Sequence, residues 1–353
     1  MKKVRWGVIG CGGIAMRRTI PGLVLAENSE LVAVMDAVAD SAQLCKEKFG
    51  AKYAFTDCDD LLACQEIDAV YIASPVGCHY AQAVAAARAG KHILLEKPLG
   101  MTVAQAQQIL RICNAEGVKL GSGFMMRFHN LHEQLRQLIA EDRLGQIVSM
   151  RAQFTCWYPE IPGAWRQAKA TAGGGALMDM GIHCIDLIRF LSGMEVREVT
   201  ALTGNQIFQY EVEDAAALVM RMDNGAMAIV DTAFNIPDEA SVSKLEVYGT
   251  AGSAVLEGTM AQAETGKATL ILTDSTKGYD AQQLRAPAEQ SILPAENGNP
   301  YTKEISAFAD AILTDGEPPV SAMDAIRAQN IIEAAYASAA CKSLVALTGK
   351  ADI

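Results

Sequence analysis

The chain has no surplus of positive charge: 30 Lys and Arg stand against 41 Asp and Glu, a formal net charge of -11. Tracking a phosphate backbone takes clustered Lys and Arg, so nucleic acid is not an expected partner. Long apolar runs are missing too. No window approaches the roughly 18 consecutive apolar residues of a membrane span, and no membrane partner is expected. After Met1-Lys2-Lys3, the residues Arg5, Gly7 and Gly10 interrupt any signal-peptide core, so export is not expected. Paired cysteine motifs are absent as well: Cys11, Cys45, Cys58, Cys64, Cys78, Cys113, Cys156, Cys184 and Cys341 contain no Cys-x-x-Cys. That is the pattern of reduced thiols in a cytoplasmic protein, with no metal site expected. Aromatic residues are scarce, with only 3 Trp among 353 residues, so any local concentration of them is informative.

Half of the residues are hydrophobic, and the length favours two domains. Residues 4–10 read as a short buried strand that runs into Gly10-Cys11-Gly12-Gly13-Ile14-Ala15. This is G-x-G-x-x-A opening a helix. Gly10 allows the tight turn, Gly12 lets the backbone approach a pyrophosphate, and the small Ala15 lets the helix lie close to the strand. A second strand, 30–36, ends on Asp36, 26 positions beyond Gly10. An acid there accepts hydrogen bonds from both ribose hydroxyls and repels a 2'-phosphate, which favours NAD over NADP. The same residue could instead start the next helix, as Asp40 or Ser41 could.

The alternation continues with helices near 39–49, 58–64, 78–89 and 102–116, and strands at 53–55, 69–73, 93–96 and 118–121. Such βαβ units predict a parallel sheet completing one nucleotide-binding domain over residues 1–122. The loop Ser74-Pro75-Val76-Gly77-Cys78-His79 lies at one strand's carboxyl end. At another, the apolar run Ile93-Leu94-Leu95 stops on Glu96-Lys97-Pro98. Ligands of such sheets collect at those ends, which places Lys97 for chemistry.

From residue 123 to 353 the pattern changes. Residues 146–156 alternate, with Val148, Met150, Ala152, Phe154 and Cys156 on one side. Asp223-Asn224-Gly225 between two apolar runs, 215–222 and 226–234, predicts a hairpin. Further strands are expected at 197–203, 242–248, 253–257 and 268–273, and strands plus surface loops over 258–299. The result is a large, mostly antiparallel open sheet. Helices near 126–141, 174–191, 301–314 and 322–341 can cover one face. A second subunit through the other face, in a homodimer or homotetramer, is the natural inference.

In this half, Gly173-Gly174-Gly175 leads into a helix where Asp179 and His183 are four apart and Asp186 is three further on. All three project from neighbouring positions on one face. A carboxylate and an imidazole held together can bind a hydroxyl and move its proton. The spacing also suits an acid at a helix start and a core histidine. The loop 156–171 gathers Trp157, Tyr158, Trp165, Arg166 and Lys169. Aromatic faces suit the C-H surface of a sugar ring, and Arg166 could grip hydroxyls or a carboxylate. Tyr301, heading a helix, is either a pocket residue or a packing one.

With these motifs in place, the whole chain resembles the glucose-fructose oxidoreductase and inositol dehydrogenase family of sugar dehydrogenases. The resemblance rests on the glycine turn, Glu96-Lys97-Pro98, Arg127-Phe128, Trp165-Arg166 and Asp179-x-x-x-His183-x-x-Asp186. It implies an N-terminal Rossmann dinucleotide-binding domain and a C-terminal α/β domain for substrate binding and oligomerisation. It further implies Lys97 at the reacting centre, His183 as acid/base and Asp179 as substrate partner. Ser74, Pro75, His79 and Glu96 fall where the family holds ribose and nicotinamide, with Gly10, Gly12, Gly13, Ile14 and Asp36 completing the cofactor set. Substrate contacts fall to Lys97, Arg127, Trp165, Arg166, Asp179, His183 and Tyr301. Val76-Gly77 departs from the family, where a polar Asn often follows the proline.

The expected activity is hydride transfer between a nicotinamide cofactor and a secondary alcohol or ketone of a sugar, polyol or sugar derivative. Lys97 would stabilise charge on oxygen and His183 take the proton, although the two basic groups could exchange roles. Two other readings use the same residues: an NAD-dependent glycosidase acting by transient oxidation and elimination, and a non-catalytic NAD or sugar sensor.

Overall fold

The computed structural model describes residues 2–273, 281 and 290–347. Six parallel strands form the first sheet: β1 (Val4–Ile9), β2 (Ser29–Met35), β3 (Tyr53–Phe55), β4 (Ala69–Ile72), β5 (His92–Glu96) and β6 (Leu120–Gly123). Their spatial order is β3-β2-β1-β4-β5-β6, so the winding reverses between β1 and β4. Ligand crevices of doubly wound sheets open at such a reversal. Helices α1 (Ile20–Leu25), α2 (Ala39–Phe49), α3 (Cys58–Ala63), α4 (Val76–Arg88) and α5 (Val103–Glu116) alternate with the strands. The run Ile93-Leu94-Leu95 is buried because elements cover both faces of the sheet. Thr102 starts α5 by accepting the Gln105 amide on its hydroxyl at 3.2 Å.

The second sheet has nine strands: β7 (Ile147–Thr155), β8 (Val196–Gly204), β9 (Ala215–Met222), β10 (Met227–Ala233), β11 (Lys244–Gly249), β12 (Gly252–Glu257), β13 (Lys267–Leu272), β14 (Gln290–Ile292) and β15 (Val345–Ala346). All neighbouring pairs are antiparallel except β7 with β10. The turn between β9 and β10 is built as its residues suggest. Gly225 has a φ of +89°, and Asn224 bonds the Ala226 amide at 2.8 Å while its own amide reaches Ile147 in β7 at 3.1 Å. The expected strands and loops of 258–299 lie partly outside the described residues, at 274–280 and 282–289.

Two sequence expectations fail here for identifiable reasons. Val148 is exposed rather than lining the inner face with Met150 and Ala152. The register of β7 against β11 shifts between Ser149 and Ile147, and this bulge breaks the alternation. The other concerns helices. The set α6 (Asn130–Ala140), α7 (Lys169–Ala172), α8 (Ile182–Ser192), α9 (Pro300–Leu313) and α10 (Ala322–Cys341) does not all cover the second sheet. Helix α8 packs on β7 and α10 on β8, but α9 returns to the first sheet. Its Ile305, Phe308 and Ala309 join Val4, Trp6 and Val8 in one core, with the Phe308 and Trp6 rings 5.9 Å apart. An apolar helix stripe fits either sheet, and the chain path decides between them.

The outer face of the second sheet stays open, with Leu202 75 %, Met227 54 % and Val219 48 % exposed. Among the described residues no helix is long and apolar enough to cross a membrane.

Candidate active site

The carboxyl ends of β1, β2, β4 and β5 form the floor of the site. Gly10 has a φ of +95°, and a Cβ there would lie 2.8 Å from the Ser74 nitrogen, so only glycine fits between β1 and β4. A Cβ on Gly12 would meet nothing within 4 Å, which leaves the backbone open to a ligand. Asp36 holds this turn: its Oδ2 accepts the Cys11 amide at 2.8 Å and its Oδ1 the Val38 amide at 2.9 Å. An ionised carboxylate has about four acceptor positions, so capacity remains for ribose hydroxyls. The next residues, Ala37, Val38 and Ala39, offer no cation to a 2'-phosphate. Ser74 donates to Gln82 at 2.5 Å, which ties the β4 loop to α4. These features fit a dinucleotide.

At the end of β5, Lys97 crosses to the second sheet's lobe. Its ammonium donates to Asp179 Oδ1 at 2.7 Å and to the Asp179 carbonyl at 2.8 Å. Arg166 Nε lies 3.4 Å from the other carboxylate oxygen, and its guanidinium rests over the Trp165 ring at 4.3 Å. Burial by itself would raise the Asp179 pKa, but the charges of Lys97 and Arg166 outweigh it and hold the carboxyl well below its usual range. Asp179 lies in a π-helical turn, Leu177–Gly181, that leads into α8; such turns are frequent at functional sites.

His183 follows one turn later, 5 % exposed, with its ring edge-on to Phe124 at 5.7 Å. Its Nδ1 has no hydrogen-bond partner among the described residues. Burial, and then the charge of Lys97, push its pKa well below 6.5, so the imidazole is neutral. Glu96 accepts the Tyr71 hydroxyl at 2.8 Å, and burial raises its pKa despite Lys97 beside it.

Four residues take other places than expected. Arg127 is buried and donates to Asp186 at 2.8 and 2.5 Å and to Asp324 at 3.2 Å, so its guanidinium is consumed in the core rather than offered to a sugar. Asp186 is spent in the same pair and leaves the Asp179–His183 group. Tyr301 is 2 % exposed and packs against Gly22 of α1, a packing residue rather than a pocket one. His79 is buried with Nδ1 2.9 Å from the Pro98 carbonyl and Nε2 2.9 Å from the Ser74 carbonyl, and burial lowers its pKa to about 4. A neutral imidazole carries one N–H, so it donates to only one of these two carbonyls, and the ring lies between the β4 loop and the β5 loop.

Sequence reasoning missed Glu213. It lies in the loop before β9, and its carboxylate accepts the Gly175 and Leu177 amides at 3.0 Å and the Tyr336 hydroxyl at 2.8 Å. It thereby fixes the start of the helical run that carries Asp179 and His183. Tyr158 lies beside Arg166 as well, its ring 5.3 Å from Phe234, and burial raises its phenol pKa despite the Arg166 charge. The aromatic concentration of the loop was its only signal. A cavity of about 500 Å³ between Arg127, Arg136 and Phe190 includes none of Lys97, Asp179 or His183, so chemistry rather than volume locates the site.

Comparison with known proteins identifies the family. Residues 4–124 match the profile described as oxidoreductase family, NAD-binding Rossmann fold, and residues 132–255 that of the GFO/IDH/MocA C-terminal domain. The chain belongs to the GFO/IDH/MocA oxidoreductase family. It is 30 % identical over 323 residues to a 1,5-anhydro-D-fructose reductase of Ensifer adhaerens, covering 91 % of this chain and 92 % of the relative. The crystal structure of an aldose-aldose oxidoreductase from Caulobacter crescentus with glycerol superposes at a TM-score of 0.87 and 25 % identity, over 98 % of this chain and 100 % of that one. A 3-ketoreductase from Actinomadura kijaniata, bound to TDP-benzene and NADP, gives 0.83 and 27 %, over 96 % and 98 %. This GFO/IDH/MocA member is therefore an enzyme of the NAD(P)-dependent oxidoreductase class, built as a Rossmann domain followed by a mostly antiparallel sheet domain.

Proposed function

We propose that this enzyme transfers a hydride between NAD and a secondary alcohol or ketone of a sugar, polyol or sugar derivative, at the cluster of Lys97, Asp179 and His183. The observation that carries this reading is the Lys97–Asp179 pair at 2.7 Å, which joins the end of β5 to the helical run before α8. The relatives' reductase and oxidoreductase names support hydride transfer rather than glycoside cleavage.

Gly10, Gly12, Gly13, Ile14 and Asp36, with Ser74, Pro75 and Glu96, are the residues that would hold the dinucleotide. When bound, the nicotinamide supplies the hydride chemistry, while the protein supplies orientation and charge. The Lys97 ammonium, fixed by two bonds to Asp179, stabilises negative charge developing on the substrate oxygen. His183 is neutral and can take the hydroxyl proton, directly or through a water. The Asp179 carboxylate, one helical turn away, offsets part of the cost of charging that imidazole. Trp165 and Arg166 line the substrate side.

Asp36 and the lack of a following cation support NAD over NADP, although the Actinomadura relative was crystallised with NADP. The exposed apolar residues of the open sheet face support pairing with a second copy of the chain. Nine free cysteines suit a reducing compartment such as the cytoplasm.

The test is a panel of sugars, polyols and glycosides with NAD and NADP, read at 340 nm and by product analysis. Net NADH from a free sugar or polyol is expected, with kcat/KM for NAD at least tenfold above NADP. Sugar released from a glycoside with no net NADH would replace this reading with the glycosidase.

A further inference from the structure

One dipeptide at the head of β9 holds both halves of the site. Neighbouring residues of a chain entering a strand point to opposite sides, and Glu213 and Asp214 engage different partners accordingly. Glu213 faces the helical run. Its carboxylate accepts the Gly175 amide on both oxygens at 3.0 Å and the Leu177 amide at 3.0 Å, and its main-chain carbonyl accepts the Ala176 amide at 3.1 Å. The first amides of a helix have no partner within it, and here one residue takes three in succession. Asp179 follows two residues after Leu177 and His183 six, so this anchor sets where both side chains emerge beside Lys97.

Asp214 is buried and folds a different segment, the loop 205–212 between β8 and β9. Its carboxylate accepts the Gln206 and Ile207 amides at 2.8 Å and the Phe208 amide at 2.9 Å. That loop in turn supports the one carrying Trp165 and Arg166. The Phe208 ring meets Trp157 edge-on at 5.1 Å, and the Tyr210 hydroxyl donates to the Tyr158 carbonyl at 3.3 Å. The Gln209 amide donates to Glu160 at 2.9 Å and the Glu211 amide to the Gln167 carbonyl at 3.2 Å, while the Glu211 carboxylate accepts the Lys169 amide at 2.8 Å. The two halves converge where Arg166 Nε lies 3.4 Å from Asp179.

We infer that Glu213 and Asp214 are positioning residues with divided duties: Glu213 keeps Asp179 and His183 in place for the reacting step, and Asp214 keeps the Trp165–Arg166 loop in place to receive the sugar. The inference rests on the oxidoreductase reading above. Both residues act through others. Displacing a reacting group by about 1 Å can cost about 100-fold in rate, whereas loosening a substrate loop weakens binding. Substitutions at these two neighbours therefore fail in different kinetic constants.

The experiment measures kcat and KM at saturating cofactor on the sugar or polyol that the panel above shows to turn over fastest. Glu213→Ala should lower kcat by about 10- to 100-fold with the sugar KM within about threefold of the parent, and Asp214→Ala should raise that KM by about tenfold with kcat within about threefold. Glu213→Gln and Asp214→Asn keep one acceptor oxygen in place and should leave only about threefold of each loss. Hydrogen exchange read by mass spectrometry places each effect, with faster exchange expected over 175–183 in Glu213→Ala and over 157–169 in Asp214→Ala. Constants that move together in both variants, or that stay near the parent's while Tm falls, overturn the inference and leave the oxidoreductase reading intact. If the alanine variants do not fold, the Gln and Asn variants decide, and absence of the split there overturns the inference as well. A parent enzyme that binds NADH but turns over no member of the panel overturns the oxidoreductase reading instead, and the inference falls with it.

Discussion

Lys97 and Asp179 are joined twice, through the Asp179 carboxylate at 2.7 Å and through its main-chain carbonyl at 2.8 Å. The second bond fixes where the helix backbone lies, and the first fixes the side chain. A residue at the carboxyl end of β5 thus sets the position of a helix 82 residues later in the chain. Because Glu213 holds the same helical run from behind, Asp179 and His183 are positioned before any ligand arrives. Preorganised charge of this kind contributes to rate because it needs no rearrangement as the reaction proceeds.

Lys97→Ala removes both bonds and the cation proposed to face the reacting oxygen. We expect kcat to fall by at least about 10²- to 10³-fold, as when a preorganised donor is lost. Affinity for NADH, read by fluorescence titration, should stay within about tenfold, since on the proposed reading the dinucleotide is held mainly by the glycine turn and Asp36. Near-normal kcat in this variant would remove Lys97 from the reacting centre.

Much of this architecture is legible in the residues, and the rest is hidden for physical reasons. Alternating apolar runs and Gly10-Cys11-Gly12-Gly13 mark a parallel sheet because local periodicity and turn chemistry act over a few residues. The four-residue spacing of Asp179 and His183 survives because helical geometry is local too. Arg127 shows the limit. Its partners Asp186 and Asp324 lie 59 and 197 residues away, and nothing local tells a buried ion pair from a substrate contact. Glu213 is hidden in the same way, acting across 38 residues from a loop without periodicity. Helix α9 carries a clear apolar stripe, yet only the tertiary path sends it to the first sheet.

Asp36→Asn separates cofactor choice from turn structure. Asn keeps one oxygen for the Cys11 amide but loses the charge that repels a 2'-phosphate. The ratio of kcat/KM for NADP to that for NAD should rise by about tenfold, corresponding to about 1.4 kcal/mol of lost discrimination. An unchanged ratio in steady-state assays at fixed sugar would show that Asp36 serves the turn alone.

Arg127→Ala should act on stability rather than on substrate. It strands Asp186, which is buried, and weakens the hold on Asp324. Breaking a buried ion pair from one side typically costs about 3–5 kcal/mol, measurable by urea denaturation. Arg127→Met combined with Asp186→Leu should recover most of that loss, because no uncompensated charge remains. A change in sugar KM with unaltered stability would return Arg127 to the substrate site.

Glu304 on α9 has both carboxyl oxygens buried without a hydrogen-bond partner among the described residues. Burial, then the charges of Glu96 and Asp186, hold its pKa well above the ordinary 4.5, so the folded protein keeps this proton where the unfolded chain releases it. The sign follows directly. The contribution is fully present below about pH 4.5, and stability is lost as pH rises toward the folded pKa, by up to about 1.4 kcal/mol per pH unit. Glu304→Gln keeps the shape and cannot ionise, so its advantage over the parent should be small near pH 5 and grow steadily to pH 8. Tm measured at each pH checks this. A difference that stays constant across that range would mean that Glu304 is ionised in the folded protein, with a counter-charge or solvent supporting it.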